Sequence, residues 1–129
     1  MAHKLKLRKI SQQFAVYRLA PDAPLPSWAT SGEIWSVTRI PTELSVVCTQ
    51  NSLPQNLAAE RNWIALQVVG PIPFGMVGVL SSLTVPLADA GVSIFALSTF
   101  ETDFVLVRDE SFEIACQVLK QAGHEIVGQ

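Results

Sequence analysis

Charged residues, histidines and cysteines are scarce in this chain, and their scarcity argues against whole classes of function. Of its 129 residues 16% are charged, and it contains two histidines and two cysteines. Enzyme and metal sites draw on such side chains at characteristic spacings, and no Gly-x-Ser-x-Gly, Walker or His-Glu-x-x-His pattern occurs. His3 and His124 stand beside no plausible nucleophile, so we expect both to be surface or terminal side chains. We therefore predict no catalytic residue, no metal site and no cofactor, and expect that the chain is not an enzyme.

Long apolar runs and concentrated positive charge are also missing. The longest apolar run, Phe74 to Leu80, is interrupted by glycines and falls well short of the roughly 20 residues that span a bilayer. The basic start of the chain does not lead into the apolar block of a signal peptide. A net charge of −2 and a pI near 5.6 argue against nucleic acid as the main partner. The sequence predicts a cytoplasmic protein that binds neither membrane nor nucleic acid. The basic cluster Lys4–Lys9 alternates with leucines, as the solvated face of a strand does.

The two cysteines, Cys48 and Cys116, lie in apolar segments with no Cys or His at metal-ligand spacing. Buried structural thiols are the preferred interpretation, and a disulfide or redox role is the alternative.

An internal repeat organises the chain, whose composition is 49% hydrophobic. Residues 34–47 match residues 94–107 at an offset of 60, and residues 14–21 match residues 64–71 at an offset of 50. Nearly every apolar position has an apolar counterpart. The first copy has therefore lost ten residues between its two blocks, where the second copy has room for a helix.

The second copy predicts the element order βαββαβ. Its first strand is Trp63–Val69, and apolar residues spaced by three and four predict a helix over Phe74–Ala90 that stops at Gly91. The remaining elements are strands Ser93–Thr99 and Asp103–Arg108, a helix with Asp109 or Ser111 as N-cap that stops at Gly123, and a closing strand His124–Val127. This order predicts an α+β, ferredoxin-like fold.

Two modules are expected, an abbreviated one at residues 1–61 and a complete one at residues 62–129. In the first, only a short turn around Leu25–Ala29 replaces the first helix, and Pro54 makes a second helix unfavourable. A module so reduced cannot cover its own sheet, so we expect the two to share a core with a seam near residues 60–62.

One segment and one hairpin suggest a binding site. In Gly70–Val77 a buried strand passes through a Pro/Gly turn into a helix, whose free N–H groups suit a carboxylate. Gly75 would let a ligand approach the backbone, and Asp103 adds an acid at the neighbouring hairpin. The alternative is an ordinary strand-to-helix turn beside an ordinary turn acid.

The string Ser98-Thr99-Phe100-Glu101-Thr102-Asp103-Phe104, with the preceding Ala90-Gly91 and the later Ala122-Gly123-His124, resembles tandem ACT-domain proteins. The resemblance covers about residues 28–127 and includes small bacterial members and the CASTOR-type arginine sensors. It implies a non-catalytic regulatory module, a homodimer, and a small effector, often an amino acid, at the paired modules. The site residues that it implies are Ile72, Pro73, Phe74, Gly75, Met76, Val77, Thr99, Phe100 and Asp103.

Two hypotheses follow, an effector-binding sensor and a ligand-free scaffold for dimerisation or protein docking. The sensor predicts a concave pocket with convergent polar groups, and the scaffold predicts a flat apolar patch. The arginine sensors use an acid in the strand-helix loop, whereas this chain has none between Gly70 and Leu80. That departure leaves an apolar or small polar amino acid as the alternative to arginine.

Overall fold

The computed structural model describes residues 3–128, and the chain divides into two compact units. The first comprises Met1–Ser11 with Ile64–Gln129, and the second comprises Gln12–Trp63. The boundaries fall inside strand β1 (Lys6–Leu19) and strand β4 (Glu60–Val68). The second boundary lies close to the predicted division at residue 61, but residues 1–11 go with the C-terminal half.

The first unit contains the βαββαβ order together with one additional strand. After β4 come α1 (Val79–Asp89), β5 (Ile94–Ser98), β6 (Asp103–Arg108), α2 (Phe112–Gln121) and β7 (Glu125–Val127). The strand order is β7-β1-β4-β6-β5, with β5 and β6 antiparallel and β7 parallel to β1. The predicted α+β, ferredoxin-like class is confirmed, and the start of β1 is the extra strand.

Alternate strand residues and one face of each helix form the core of this unit. Along α1, Val79, Leu83 and Leu87 recur every four residues and are almost completely buried. Leu7 is buried between the exposed side chains of Lys6 and Arg8, so the predicted alternation of the basic cluster is confirmed.

Helix α1 begins five residues later than predicted, at Val79 instead of Phe74. Two glycines account for the delay, because Gly75 favours the flexible backbone of the loop and Gly78 has a φ of 86°. That left-handed conformation cannot continue a right-handed helix. Phe74 and Val77, which matched the helical spacing, are 76% and 85% exposed instead of packed in the core.

His124 also differs from its expectation as a surface residue, since only 4% of it is exposed. Its Nδ1 accepts a hydrogen bond of 3.0 Å from the Leu5 N–H, and its Nε2 donates one of 2.9 Å to the Ser82 carbonyl. Both ring nitrogens are therefore satisfied inside the unit. The expectation of a surface position was wrong because both hydrogen-bond partners are distant in sequence, so no local pattern indicates that the side chain is buried.

The second unit keeps the strand order of the repeat but replaces its helices by single 3-10 turns. Strands β2 (Ser36–Ile40) and β3 (Glu43–Thr49) follow β1, with 3-10 turns at Ser27–Thr30 and Gln50–Ser52. The order in this unit is β2-β3-β1, with both pairs antiparallel. Its core includes Ala15, Ala29, Val46, Cys48 and Leu53. The predicted loss of the first helix is confirmed.

The hairpins of the two units differ at their tips. The β2–β3 pairing ends at Ile40 and Glu43, which leaves a two-residue turn, whereas the β5–β6 pairing ends at Ser98 and Asp103 and leaves four residues. The longer tip is therefore a feature of the first unit alone.

Both cysteines are buried, which confirms their prediction as buried thiols. Burial raises the pKa of the Cys48 thiol above its ordinary value, and the nearby Arg61 charge opposes part of that rise. Neither described helix has the length and apolar character needed to cross a membrane.

Candidate functional site

A cavity of about 350 Å³ lies in the first unit between the segment that follows β4, the start of α1 and the β5–β6 hairpin tip. Its volume is at the lower end of the roughly 300–1,000 Å³ typical of small-molecule sites. Three separate stretches of chain therefore meet around one concave space.

A backbone hydrogen bond joins two walls of the cavity. The Ile72 N–H donates to the Glu101 carbonyl at 2.7 Å, so the segment after β4 is fixed against the hairpin tip. Gly70 makes this approach possible, because a Cβ at that position would lie 2.9 Å from the Ile72 nitrogen. Any larger residue at 70 must move the backbone that carries the bond.

The hairpin tip is held by its two threonines. The Thr99 N–H donates to the Thr102 carbonyl at 2.8 Å, and the Thr102 N–H donates to Thr99 Oγ1 at 3.1 Å. The Thr102 hydroxyl in turn donates to the Val68 carbonyl at 2.7 Å, near the end of β4. The four-residue turn is thus fixed both within itself and to the neighbouring strand.

The start of α1 forms the third wall of the cavity and carries backbone N–H donors. The first helical hydrogen bond runs from the Ser82 N–H to the Gly78 carbonyl at 3.1 Å, so the amides of Val79, Leu80 and Ser81 precede it. Gly78 has no side chain with which to cap them. All three residues line the cavity, where the positive end of the helix dipole favours an anionic group.

Two acids on the hairpin line the opposite side. Asp103 Oδ1 accepts a 2.6 Å hydrogen bond from the Ser98 hydroxyl, which orients the carboxylate from a neighbouring strand position. Glu101 is exposed at the tip and also lines the cavity. This side of the cavity therefore favours a positively charged group, whereas the helix end favours a negatively charged one.

An aromatic pair forms the rim of the cavity. The rings of Phe74 and Phe100 stack with centroids 4.9 Å apart and an interplanar angle of 23°. They are 76% and 75% exposed, which is unusual for such large apolar side chains. Met76 lines the cavity beside them and is half-exposed.

Seven of the nine residues predicted for the site line this cavity, namely Ile72, Pro73, Phe74, Met76, Thr99, Phe100 and Asp103. Gly75 and Val77 belong to the same loop but are not among the lining residues. The helix start that was expected near Gly75 lies at Val79, so the N-terminal amides of the helix are those of residues 79–81. Sequence reasoning missed the lining residues Gly78, Val79, Leu80, Ser81, Ser98, Glu101 and Thr102. Glu101 and Thr102 were within reach, since they belong to the predicted hairpin tip.

Within residues 3–128, no group of three or more His, Cys, Asp and Glu side chains is arranged to hold a metal ion. The residues that line the cavity include the start of α1, four hydroxyl-bearing side chains and two acids. Such an arrangement can bind a small dipolar molecule.

The fold and this cavity define a class of small regulatory ligand-binding modules, and sequence comparison assigns the family. A family model of the ACT domain matches residues 58–121, and a second model, of an N-terminal domain, matches residues 12–56. The crystal structure of protein Atu0741 from Agobacterium tumefaciens is 33% identical, with a TM-score of 0.93 over 99% of this chain and 96% of that one. Residues 58–121 therefore belong to the ACT-domain family.

Two human proteins are also similar. CASTOR3P is 34% identical over 98 residues, which are 64% of this chain and 60% of that protein. The cytosolic arginine sensor for mTORC1 subunit 1 is 28% identical over 100 residues, which are 69% of this chain and 30% of the sensor. The chain thus spans about 60% and 30% of the length of these relatives.

Proposed function

We propose that the cavity of the first unit binds a small zwitterionic effector, an amino acid, and that the chain is a regulatory sensor module without catalytic activity. The observation that carries the proposal is that one cavity is lined both by the first residues of α1, 79–81, and by the acids Glu101 and Asp103. A zwitterion buried there needs both charges paired, and this cavity offers a partner for each.

In this proposal the effector's carboxylate accepts hydrogen bonds from the amides at the start of α1. Its ammonium faces Asp103, whose other oxygen is oriented by Ser98. Its side chain lies on Met76 and the Phe74–Phe100 pair. Charge-assisted bonds at both ends fix the backbone of the amino acid, and the apolar rim selects among side chains.

The named function of one relative, a cytosolic arginine sensor, supports an amino acid as the effector class and the cytoplasm as the location. The segment after β4 has no acid in this chain, so the two cavity acids come from the hairpin instead. We therefore propose that an apolar or small polar amino acid is preferred to arginine.

A homodimer is the proposed assembly. Phe74, Val77 and Phe100 are each at least 75% exposed near the cavity, and apolar surface of this kind favours burial by a second copy. The same surface supports the second candidate function, a scaffold whose role is dimerisation or docking on a regulated protein.

A thermal-shift screen against the twenty amino acids tests the proposed function. A specific binder of the native state raises the melting temperature at saturating concentration, by an amount that grows with the logarithm of its concentration. If no amino acid shifts the melting temperature, the sensor proposal fails and the scaffold is favoured.

Calorimetry with the amino acid that gives the largest shift then tests the site. Asp103→Ala should weaken binding by roughly 1.5–3 kcal/mol, the usual contribution of a hydrogen bond to a charged group. Asp89→Ala is the matched control, since Asp89 is an exposed acid at the far end of α1 and does not line the cavity. Equal affinities for the Asp103 variant and the parent would remove Asp103 from the site.

A further inference from the structure

Residues 3–5, which precede strand β1, are hydrogen-bonded to the segment that leads into α1. His3 Nε2 lies 2.8 Å from the Val77 carbonyl, and the His3 N–H donates to Ser82 Oγ at 3.0 Å. Since a carbonyl only accepts, Nε2 of His3 must be the donor in the first bond. These contacts join positions more than seventy residues apart in the sequence.

Ser82 connects His3 to the first turn of the helix. Its hydroxyl donates to the Gly78 carbonyl at 2.7 Å while its oxygen accepts from His3, so both functions of the hydroxyl are used. Two successive carbonyls, those of Val77 and Gly78, are thereby fixed by one chain of bonds. Gly78 is the residue whose φ of 86° turns the chain into α1.

His124, near the C-terminal end of the first unit, bonds to the same helix turn. It donates to the Ser82 carbonyl through Nε2 and accepts from the Leu5 N–H through Nδ1, which requires the neutral Nε2–H tautomer. The Glu125 N–H donates to the Leu5 carbonyl at 2.9 Å, so residues 3–5 are held on both sides.

We infer that His3, Ser82 and His124 form a latch through which residues 3–5 position the helix amides that line the cavity. They are positioning residues, because His3 and His124 do not line the cavity and act on it through Val77, Gly78 and Ser82. The orientation of residues 79–81 depends on the backbone turn at Gly78, and the latch fixes that turn.

One consequence rests on the proposed function. If an effector carboxylate binds the amides at residues 79–81, latch and effector stabilise the same conformation of the helix start. Linkage then makes the effect reciprocal: releasing the latch weakens effector binding by the factor by which the effector strengthens the latch.

Amide hydrogen exchange of the full-length protein without added ligand tests the latch. His3→Ala should speed exchange of the hydrogen-bonded amides on either side of the turn, those of Met76 and Ser82, by roughly three- to tenfold, the factor that corresponds to one lost hydrogen bond. Exchange in β6 and α2 should not change, and His3→Gln, which keeps a side-chain N–H donor, should restore slow exchange. Lys4→Ala is the matched control, since Lys4 is exposed and adjacent. Unchanged exchange of the Met76 and Ser82 amides in His3→Ala would overturn the latch.

Two further measurements make the inference sharper. The ring nitrogen shifts of His124 in the unmutated protein should show the Nε2–H tautomer, and the Nδ1–H tautomer would overturn the bonding scheme. Ser82→Ala should speed exchange as His3→Ala does, whereas Ser81→Ala, which removes a 3.0 Å bond to the same Gly78 carbonyl without touching residues 3–5, should have a smaller effect. An equal effect of the two serine variants would count against the latch.

Repeating the exchange with a mixture of the twenty amino acids separates the latch from the proposed function. Protection of residues 79–81 in the parent that is weaker in His3→Ala supports the coupling, and equal protection overturns it. If the mixture protects nothing in the parent, the effector proposal and the coupling both fail, while the latch itself is still decided by the ligand-free arm.

Discussion

Replacing His124 by alanine should destabilise the protein far more than an ordinary surface substitution. The side chain is 4% exposed and satisfies two backbone groups, the Leu5 N–H and the Ser82 carbonyl. An orphaned buried group costs about 1–3 kcal/mol, so two of them give about 2–6 kcal/mol before any cavity is counted. For a chain of this size, 1 kcal/mol lowers Tm by about 3–5 °C, so we expect a fall of at least about 6 °C.

Urea unfolding measures this loss directly, with the m value as a check that the two-state transition is preserved. Gln121→Ala at the exposed end of α2 is the control and should change stability by less than about 0.5 kcal/mol. A loss below about 0.5 kcal/mol in His124→Ala would refute the argument, because it would mean that neither backbone group depends on the imidazole.

Three further predictions concern other parts of the chain. Gly70→Ala should lower stability by about 1–2 kcal/mol in urea unfolding and weaken effector binding, because the alanine Cβ pushes the Ile72 N–H away from the Glu101 carbonyl. Unchanged stability and unchanged affinity would refute the close approach. Thr102→Val should cost about 0.5–1.5 kcal/mol in the same assay through loss of its bond to Val68, and Thr84→Val on α1 is the control. Stability should fall as pH rises above the ordinary pKa of a thiol, because the raised pKa of Cys48 makes the folded state hold more protons there than the unfolded state. Cys48→Ala should flatten this alkaline decline. The same slope of stability against pH in the variant and the parent would contradict the prediction.

The strands of the β5–β6 hairpin could be predicted closely from the sequence. The prediction gave Ser93–Thr99 and Asp103–Arg108, and the structure has Ile94–Ser98 and Asp103–Arg108. Local signals were sufficient here, because a β-rich run and a short polar turn determine a hairpin without help from distant residues. The same holds for the stop of α1 before Gly91, where a left-handed residue ends the helix.

The start of α1 could not be predicted from the same kind of signal. Phe74 and Val77 have helical spacing, but they lie on an exposed loop, so their apolar character does not report burial in the core. The glycine at 78 was visible, yet a glycine within a helical pattern is often tolerated. In the fold, the carbonyl that precedes the left-handed Gly78 is bonded by His3, a residue 74 positions away that no local pattern could indicate.

The burial of His124 was missed for a related reason. A histidine after a helix-ending glycine is exposed in most contexts, and only its partners, Leu5 and Ser82, make burial favourable. They lie 119 and 42 residues away, and no periodicity in the chain brings them together. A sequence pattern identifies the elements, whereas the pairing of polar groups between elements requires the fold.

The candidate site combines these two kinds of information, which explains why the sequence identified half of its lining residues but not its geometry. The loop and the hairpin tip are local features, and seven of their predicted residues do line the cavity. The cavity is framed by the bond from the Ile72 N–H to the Glu101 carbonyl and by the bond from the Thr102 hydroxyl to the Val68 carbonyl, and both contacts join separate elements. Bonds of this kind hardly depend on the side chains at the rim. Under the proposed function, variants of the rim residues Phe74, Met76 and Phe100 should therefore change the preferred effector while the cavity keeps its shape, so effector identity should be sought first at these three positions.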